Sequence, residues 1–247
     1  MRKAVILAGG TGSRLSPITR VINKHLLPVG SYPMIYWSIL KAKEAGLHEI
    51  LILTSREHLA AFIQLLGDGK DLGVHLHYTI QDQADGIASA LSLAEHFVGD
   101  EKFLVLLGDN LFADPLTAYV QQYERQKEGA FVLLKEVRDP TRYGIAFLDK
   151  TKQKIKKIVE KPNMQGSAYC VTGIYMYDRT VFSFIEQIAP SARGELEITD
   201  VNNFYIDQGT MGFNILPDWW IDAGTHESLF KANCYMNQTL DLAGGES

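Results

Sequence analysis

Three glycines, Gly9, Gly10 and Gly12, crowd the stretch LAGGTGSRLSPITRVINKHLLPV, directly after a short apolar run. A glycine-rich turn behind a strand presents successive backbone N–H groups to a phosphate. Two common users of that device do not fit. A dinucleotide fingerprint needs a third glycine where Leu15 stands and an acid about 20 residues on, and residues 30–40 hold no Asp or Glu. A P-loop closes on Gly-Lys-Ser/Thr, whereas this turn reads Gly-Ser-Arg. Either a nest for a polyphosphate remains, with Arg14 behind it, or merely a tight turn. Lys24 follows on a Pro-punctuated segment. Alone it reads as solvated; a loop folding back would aim it and Arg14 at one phosphate.

Further along, LLGDN puts Asp109 at the end of an apolar run. Facing a phosphate site, such a carboxylate suits Mg²⁺, which prefers one or two carboxylates plus phosphate oxygens. A turn or cap role fits the local pattern equally well. WWIDAGTHESL offers Asp222 ahead of a helix whose N-cap is better assigned to Thr225, leaving Asp222 free. IVEKPN gives Glu160 and Lys161, by default an exposed ion pair, otherwise a hydroxyl acceptor and a phosphate partner. In RGELEITD most charges suit a solvated first helical turn, with Arg193 the one able to reach an anion. His75 and His77 lack a ligand-spaced partner, and no HExxH or GxSxG is present.

These groups need a frame, and the chain supplies one. Runs AVILA, EILILT, VHLHYTI and KFLVLL alternate with helical stretches at YPMIYWSILKAKEAG, 57–66 and GIASALSLAEHF. Near-continuous apolar strands between helices imply a parallel sheet covered on both faces, binding ligands at its carboxyl edge. From AFVLLKEV onward, strands at 145–149, 154–160 and 169–177 have no helix between them, so an antiparallel or mixed addition is expected. Helices return at 179–187, 197–208 and about 225–240.

The 247 residues carry 24 Lys+Arg against 29 Asp+Glu, a net charge of −5. That disfavours nucleic acid as a partner, since phosphate-backbone binding needs a basic excess. Lone cysteines, no signal pattern and no membrane-length apolar run predict a soluble, cytoplasmic protein with reduced thiols and no membrane partner. No repeat or linker interrupts the chain, so one domain over 1–247 is expected.

In collinear order the chain carries GGTGSRLSPITRVINKHLLPV, PMIYW, QDQADGIASAL, LGDNLF, RYGIAFLD, VEKP, TGIYMYD, GELEITDVN and WIDAGTHESL. Together these resemble the sugar-1-phosphate nucleotidylyltransferases, from Lys3 to about Asn237. The resemblance implies an α/β, Rossmann-like fold with a mixed, mostly parallel central sheet. It implies a nucleotide-binding part over about 1–110 and a sugar-binding part over about 111–225. The substrates implied are a nucleoside triphosphate and a sugar 1-phosphate, best matched by dTTP and glucose 1-phosphate. UTP- or other NTP-dependent transfer is the alternative, and a non-catalytic nucleotide-sensing subunit a more distant one.

The resemblance also assigns residues. Leu7, Ala8, Gly9, Gly10, Gly12 and Ser13 wrap the nucleotide phosphates, and Gln81 and Gly86 read the base. Arg14 and Lys24 are catalytic, and Asp109 and Asp222 hold Mg²⁺. Asn110, Tyr143, Gly144, Glu160 and Val171 hold the hexose, while Lys161 and Arg193 clamp its phosphate. Three departures stand out: Ser13 for threonine, His25 for glutamine, and a C-terminus short of the regulatory helices of long relatives. No allosteric nucleotide site is therefore expected, and a homo-oligomer is left open without the tetramer of those relatives.

Overall fold

The computed structural model describes residues 1–243. In the first half, β1 (Lys3–Leu7), the short pair β2 (Pro28–Val29) and β3 (Tyr32–Pro33), β4 (Glu49–Thr54), β5 (His75–Ile80), β6 (Phe103–Leu107) and β7 (Asn110–Phe112) are interleaved with four helices. These are α1 (Met34–Glu44), α2 (Leu59–Leu66), α3 (Ile87–Ser92) and α4 (Glu95–Val98). The second half adds β8 (Ala130–Val137), β9 (Gly144–Leu148), β10 (Ile155–Glu160), β11 (Ala168–Tyr177), β12 (Met211–Ile215) and β13 (Trp220–Asp222). Its helices are α5 (Thr117–Arg125), α6 (Thr180–Ile185), α7 (Ile198–Asp207) and α8 (His226–Ala243).

β6, β1, β4 and β5 form a parallel block, with Val5 opposite Leu51 on one side and Val105 on the other. Both faces of this block are covered, which is why its strands read as unbroken apolar runs. Ala4, Ile6, Ile50, Ile52, Leu104 and Leu106 pack with α1, α2 and α5; Val5, Leu51, Val105, Tyr175 and Tyr177 pack with α3, α6 and α7. The period-two alternation of each strand sends its residues to opposite cores.

β11 joins the parallel block to the rest. Its second half runs antiparallel to β6, and its length pairs antiparallel with β8 across an irregularity between Val171 and Tyr175. β9 and β10 extend the sheet antiparallel beyond β11, so the mixed addition expected from the sequence is present. β12 returns parallel to β8. The order is β10-β9-β11-β6-β1-β4-β5, with β8 and β12 off that path.

Some boundaries differ from expectation. The helix expected over GIASALSLAEHF breaks at Leu93 and Ala94, where i→i+3 bonds from Leu93 N to Ala90 O and from Ala94 N to Leu91 O close a tighter turn. α2 begins at Leu59, because His58 N closes a turn on Ser55 O first. Thr225 does cap α8: its Oγ1 accepts from Ser228 N at 3.2 Å. α8 lies over β2, β7 and β13 through Val29, Met34, Leu111, Ala223 and Ala232.

Candidate active site

The carboxyl ends of β1, β5 and β6 meet at one rim, where ligands bind in open α/β sheets. β1 runs into Gly9, β5 into Gln81 and β6 into Asp109. A Cβ at Gly9 would overlap the Gln81 side-chain oxygen, so that amide lies directly across the glycine turn. Gly12 has φ 64°, the left-handed conformation that glycine adopts without strain, and it opens the 3₁₀ turn Ser13–Leu15 that carries Arg14.

Lys24 is brought back to this rim by Asn23. The Asn23 side chain donates to Ala8 O at 3.1 Å and accepts from His25 N at 2.9 Å, pinning the returning loop under β1. Lys24 Nζ then pairs with Asp109 Oδ2, and both side chains are nearly buried. Burial works against a charge on Asp109. The Lys24 ammonium and the Asn110 amide, which donates to Oδ1 at 3.0 Å, nonetheless hold the carboxyl below the ordinary range.

His25 gains a definite place. Its ring packs against Gly108, leaving no room for a Cβ there, and burial first and Lys24 second push its pKa down to about 3. The Asn23 oxygen already accepts from a backbone N–H, so the assigned tautomer is neutral, with Nδ1–H donating to Oδ1 at 2.7 Å.

Asp222 reaches the same rim from the other side. β13 pairs antiparallel with β7, setting Asp222 opposite Asn110, and Ala223 N donates to Asp109 O at 2.8 Å. Arg14 lies 3.7 Å and Arg142 3.5 Å from the Asp222 carboxylate. A side chain at Gly224 would strike Arg14 Nη2 at 2.6 Å, so bare backbone is what admits the guanidinium. Burial, then the neighbouring Asp109, raises the Asp222 pKa despite Arg14, Lys24 and Arg142. Two carboxylates that feel each other, one held ionised by Lys24, form a donor pair suited to a hard cation that completes its shell with water and phosphate oxygens. Among the described residues no group of three or more His, Cys, Asp or Glu side chains is arranged for a metal, so a protein-only cage is not built.

Two clefts open on either side of this centre, and both are lined by Arg14, Ile87, Leu107, Asp109 and Glu195. The first is also lined by Leu7, Gly9, Gly10, Lys24, Gln81 and Gly86. The second is lined by Asn110, Tyr143, Gly144, Glu160, Lys161, Val171, Arg193 and Asp222. The residues assigned to nucleotide and to sugar phosphate thus separate into adjoining cavities. Ala8, Gly12 and Ser13 line neither cleft: Ala8 is fully buried, Gly12 is half-buried and Ser13 is exposed on the turn.

In the second cleft Glu160 Oε2 accepts from Thr199 Oγ1 at 2.7 Å. Arg193 donates to both Glu197 oxygens at 2.8 Å and lies 3.5 Å from Glu160. Lys161 lies 3.7 Å from Glu160, its backbone at φ 42°, a conformation non-glycine residues rarely adopt, fixed by Lys161 N donating to Tyr143 O. Sequence reasoning passed over Arg142, Thr199, Asn202 and Trp220 in this wall. Arg142 stood inside a quoted motif, but nothing in its spacing ties it to Asp222, 80 residues away.

The nucleotidyl transferase family profile matches residues 3–239. A Neisseria meningitidis glucose-1-phosphate thymidylyltransferase is 41% identical over 243 residues, covering 97% of this chain and 84% of its own length. A Bacillus anthracis protein provisionally named glucose-1-phosphate thymidylyltransferase, solved with sucrose, superposes with a TM-score of 0.90 at 52% identity over 95% of each chain. A UDP-glucose pyrophosphorylase solved with UDP-glucose superposes with a TM-score of 0.86 at 25% identity, over 97% of this chain and 99% of that one. With a family match across nearly its whole length and two clefts that share Arg14 and Asp109, the chain belongs to the nucleotidyl transferase family.

Proposed function

We propose that the chain transfers the thymidylyl group of dTTP to glucose 1-phosphate, giving dTDP-glucose and pyrophosphate. The observation that supports this reading is the junction of the two clefts at Arg14 and Asp109, with Gly9, Gly10, Gln81 and Gly86 on one side and Glu160, Lys161 and Arg193 on the other. The names of the relatives that are 41% and 52% identical favour thymidine and glucose over the uridine of the 25% identical one.

The sugar phosphate is already an anionic nucleophile, so no strong general base is required. One of its oxygens attacks the α-phosphorus in line, the bond from that phosphorus to the bridging oxygen breaks, and the electron pair leaves with pyrophosphate. The barrier lies in bringing two anions together and in stabilising the charge that builds, which is work for positioned cations. Lys161 and Arg193 would hold the sugar phosphate, exchanging their present carboxylate partners for it. Arg14 and the N–H groups of the glycine turn would grip the triphosphate, with Lys24 beside the α-phosphate. A Mg²⁺ held by Asp109 and Asp222 would draw charge from the phosphate oxygens. The Gln81 amide, lying over Gly9, would read the thymine edge.

Incubation with dTTP, glucose 1-phosphate and Mg²⁺ should yield dTDP-glucose by mass spectrometry and one pyrophosphate per turnover. Lys161→Ala should slow this by about 10²-fold or more while the protein stays folded. Failure of the wild type to make any nucleoside diphosphate sugar would overturn the reading.

A further inference from the structure

The second cleft contains a polar side chain that the reaction above leaves unused. Asn202 lies on α7, is 1% exposed and lines the same cavity as Gly144, Glu160 and Arg193. An asparagine is a poor helix former, and burying its amide is costly without partners. One partner is present: Asn202 Oδ1 accepts from the Tyr177 hydroxyl at 2.7 Å.

That bond settles which way the amide points. Tyr177 is fully buried and keeps its proton, because burial raises its pKa well above the ordinary phenol value. Its hydroxyl makes no other hydrogen bond among the described residues. Turning the Asn202 amide over would leave the phenol hydrogen with no acceptor, so the orientation with Oδ1 toward Tyr177 is the favoured one. The NH₂ group then faces away from Tyr177, and no protein acceptor among the described residues meets it. It is not walled in either. The side-chain polar atoms both enclosed and unpartnered among the described residues are Ser38 Oγ, Asp114 Oδ2 and Trp220 Nε1. Asn202 Nδ2 therefore opens on the cavity that Asn202 lines.

We infer that Asn202 is a specificity-determining residue whose Nδ2–H donates to one hydroxyl oxygen of the bound hexose, with Tyr177 the positioning residue that aims it. This rests on the sugar-phosphate reading of the cleft. A site built to hydrogen-bond a hydroxyl rejects the analogue that lacks it, because its polar group is left unpaired.

The test measures kcat/KM for glucose 1-phosphate and its 2-, 3-, 4- and 6-deoxy analogues, with dTTP and Mg²⁺, in wild type, Asn202→Leu and Tyr177→Phe. Wild type should lose about tenfold or more on the analogue lacking the contacted hydroxyl. In Asn202→Leu that one penalty should shrink to within about threefold while the other penalties and the KM for dTTP hold. Tyr177→Phe should weaken the same penalty and no other. A folded Asn202→Leu that keeps all the wild-type penalties overturns the inference. Should that variant fail to fold, a folded Tyr177→Phe with every penalty intact overturns it equally. If wild type turns over none of these sugars, the reading of the cleft falls and the inference with it; turnover with unchanged discrimination removes the inference alone.

Discussion

Lys24→Met removes one partner of a nearly enclosed ion pair while keeping the length of the side chain. The exposures are 13% for Lys24 and 11% for Asp109, so water can replace little of what is lost. Breaking a buried pair from one side costs ~3–5 kcal/mol, and the slight exposure argues for the lower end, about 3 kcal/mol at neutral pH. For a chain of this size that is a fall in Tm of roughly 6–12 °C. The pH dependence is the sharper signature. In wild type the Asp109 pKa is depressed in the fold, so its stabilisation is present above the unfolded value of about 3.9 and is lost only as pH falls through the lower folded value. Without Lys24, burial is left as the largest influence and pushes the carboxyl up. The variant then loses stability as pH rises through and above about 3.9. Its deficit against wild type should therefore shrink by about 1 kcal/mol or more between pH 7.5 and pH 5. Urea unfolding in EDTA at both values measures this directly. A deficit that is the same at both, or none at either, refutes the reasoning.

Asp222→Asn should behave in the opposite sense. The Asp222 pKa is raised in the fold, so its carboxyl contributes stability below about pH 3.9 that is lost as pH rises through the folded value. In EDTA at pH 7.5 the variant should unfold no lower than wild type by thermal melt, while Mg²⁺-supported pyrophosphate release falls by about 10²-fold or more. Gly86→Ala should cost about 2 kcal/mol or more and raise the KM for dTTP, because φ is 115° there and the new Cβ would lie 2.5 Å from Leu196 O. Wild-type melting and kinetics in that variant would contradict the placement of Gly86.

The parallel block was readable in advance because burial on both faces turns β1, β4 and β6 into unbroken apolar runs. β12, MGFNI, was not: it is half-exposed, carries Gly212 and Asn214, and exists only because β8 offers it a parallel edge. β13 was hidden for a similar reason, since it is only three half-buried residues, Trp220, Ile221 and Asp222, paired with the equally short β7. The glycine turn and the strand-end Asp109 could be found from local chemistry. The link between Lys24 and Asp109, 85 residues apart, could not, because it depends on Asn23 folding the loop back. On the sugar side, β9, β10, β11 and the approach to α7 each supply part of one wall, and only the run of motifs in order pointed there. Arg142 and Asn202 stand inside the motifs RYGIAFLD and GELEITDVN, but only their neighbours across the cleft single them out.

The central claim is that two anions meet across Arg14, Lys24 and the Asp109–Asp222 pair in one direct displacement. The stereochemistry at the α-phosphorus tests this most directly. One diastereomer of dTTP carrying sulfur on the α-phosphorus should be converted, with glucose 1-phosphate, to dTDP-glucose of inverted configuration by ³¹P NMR. Retention would mean two displacements through a covalent protein intermediate, and would contradict the direct transfer proposed for these residues.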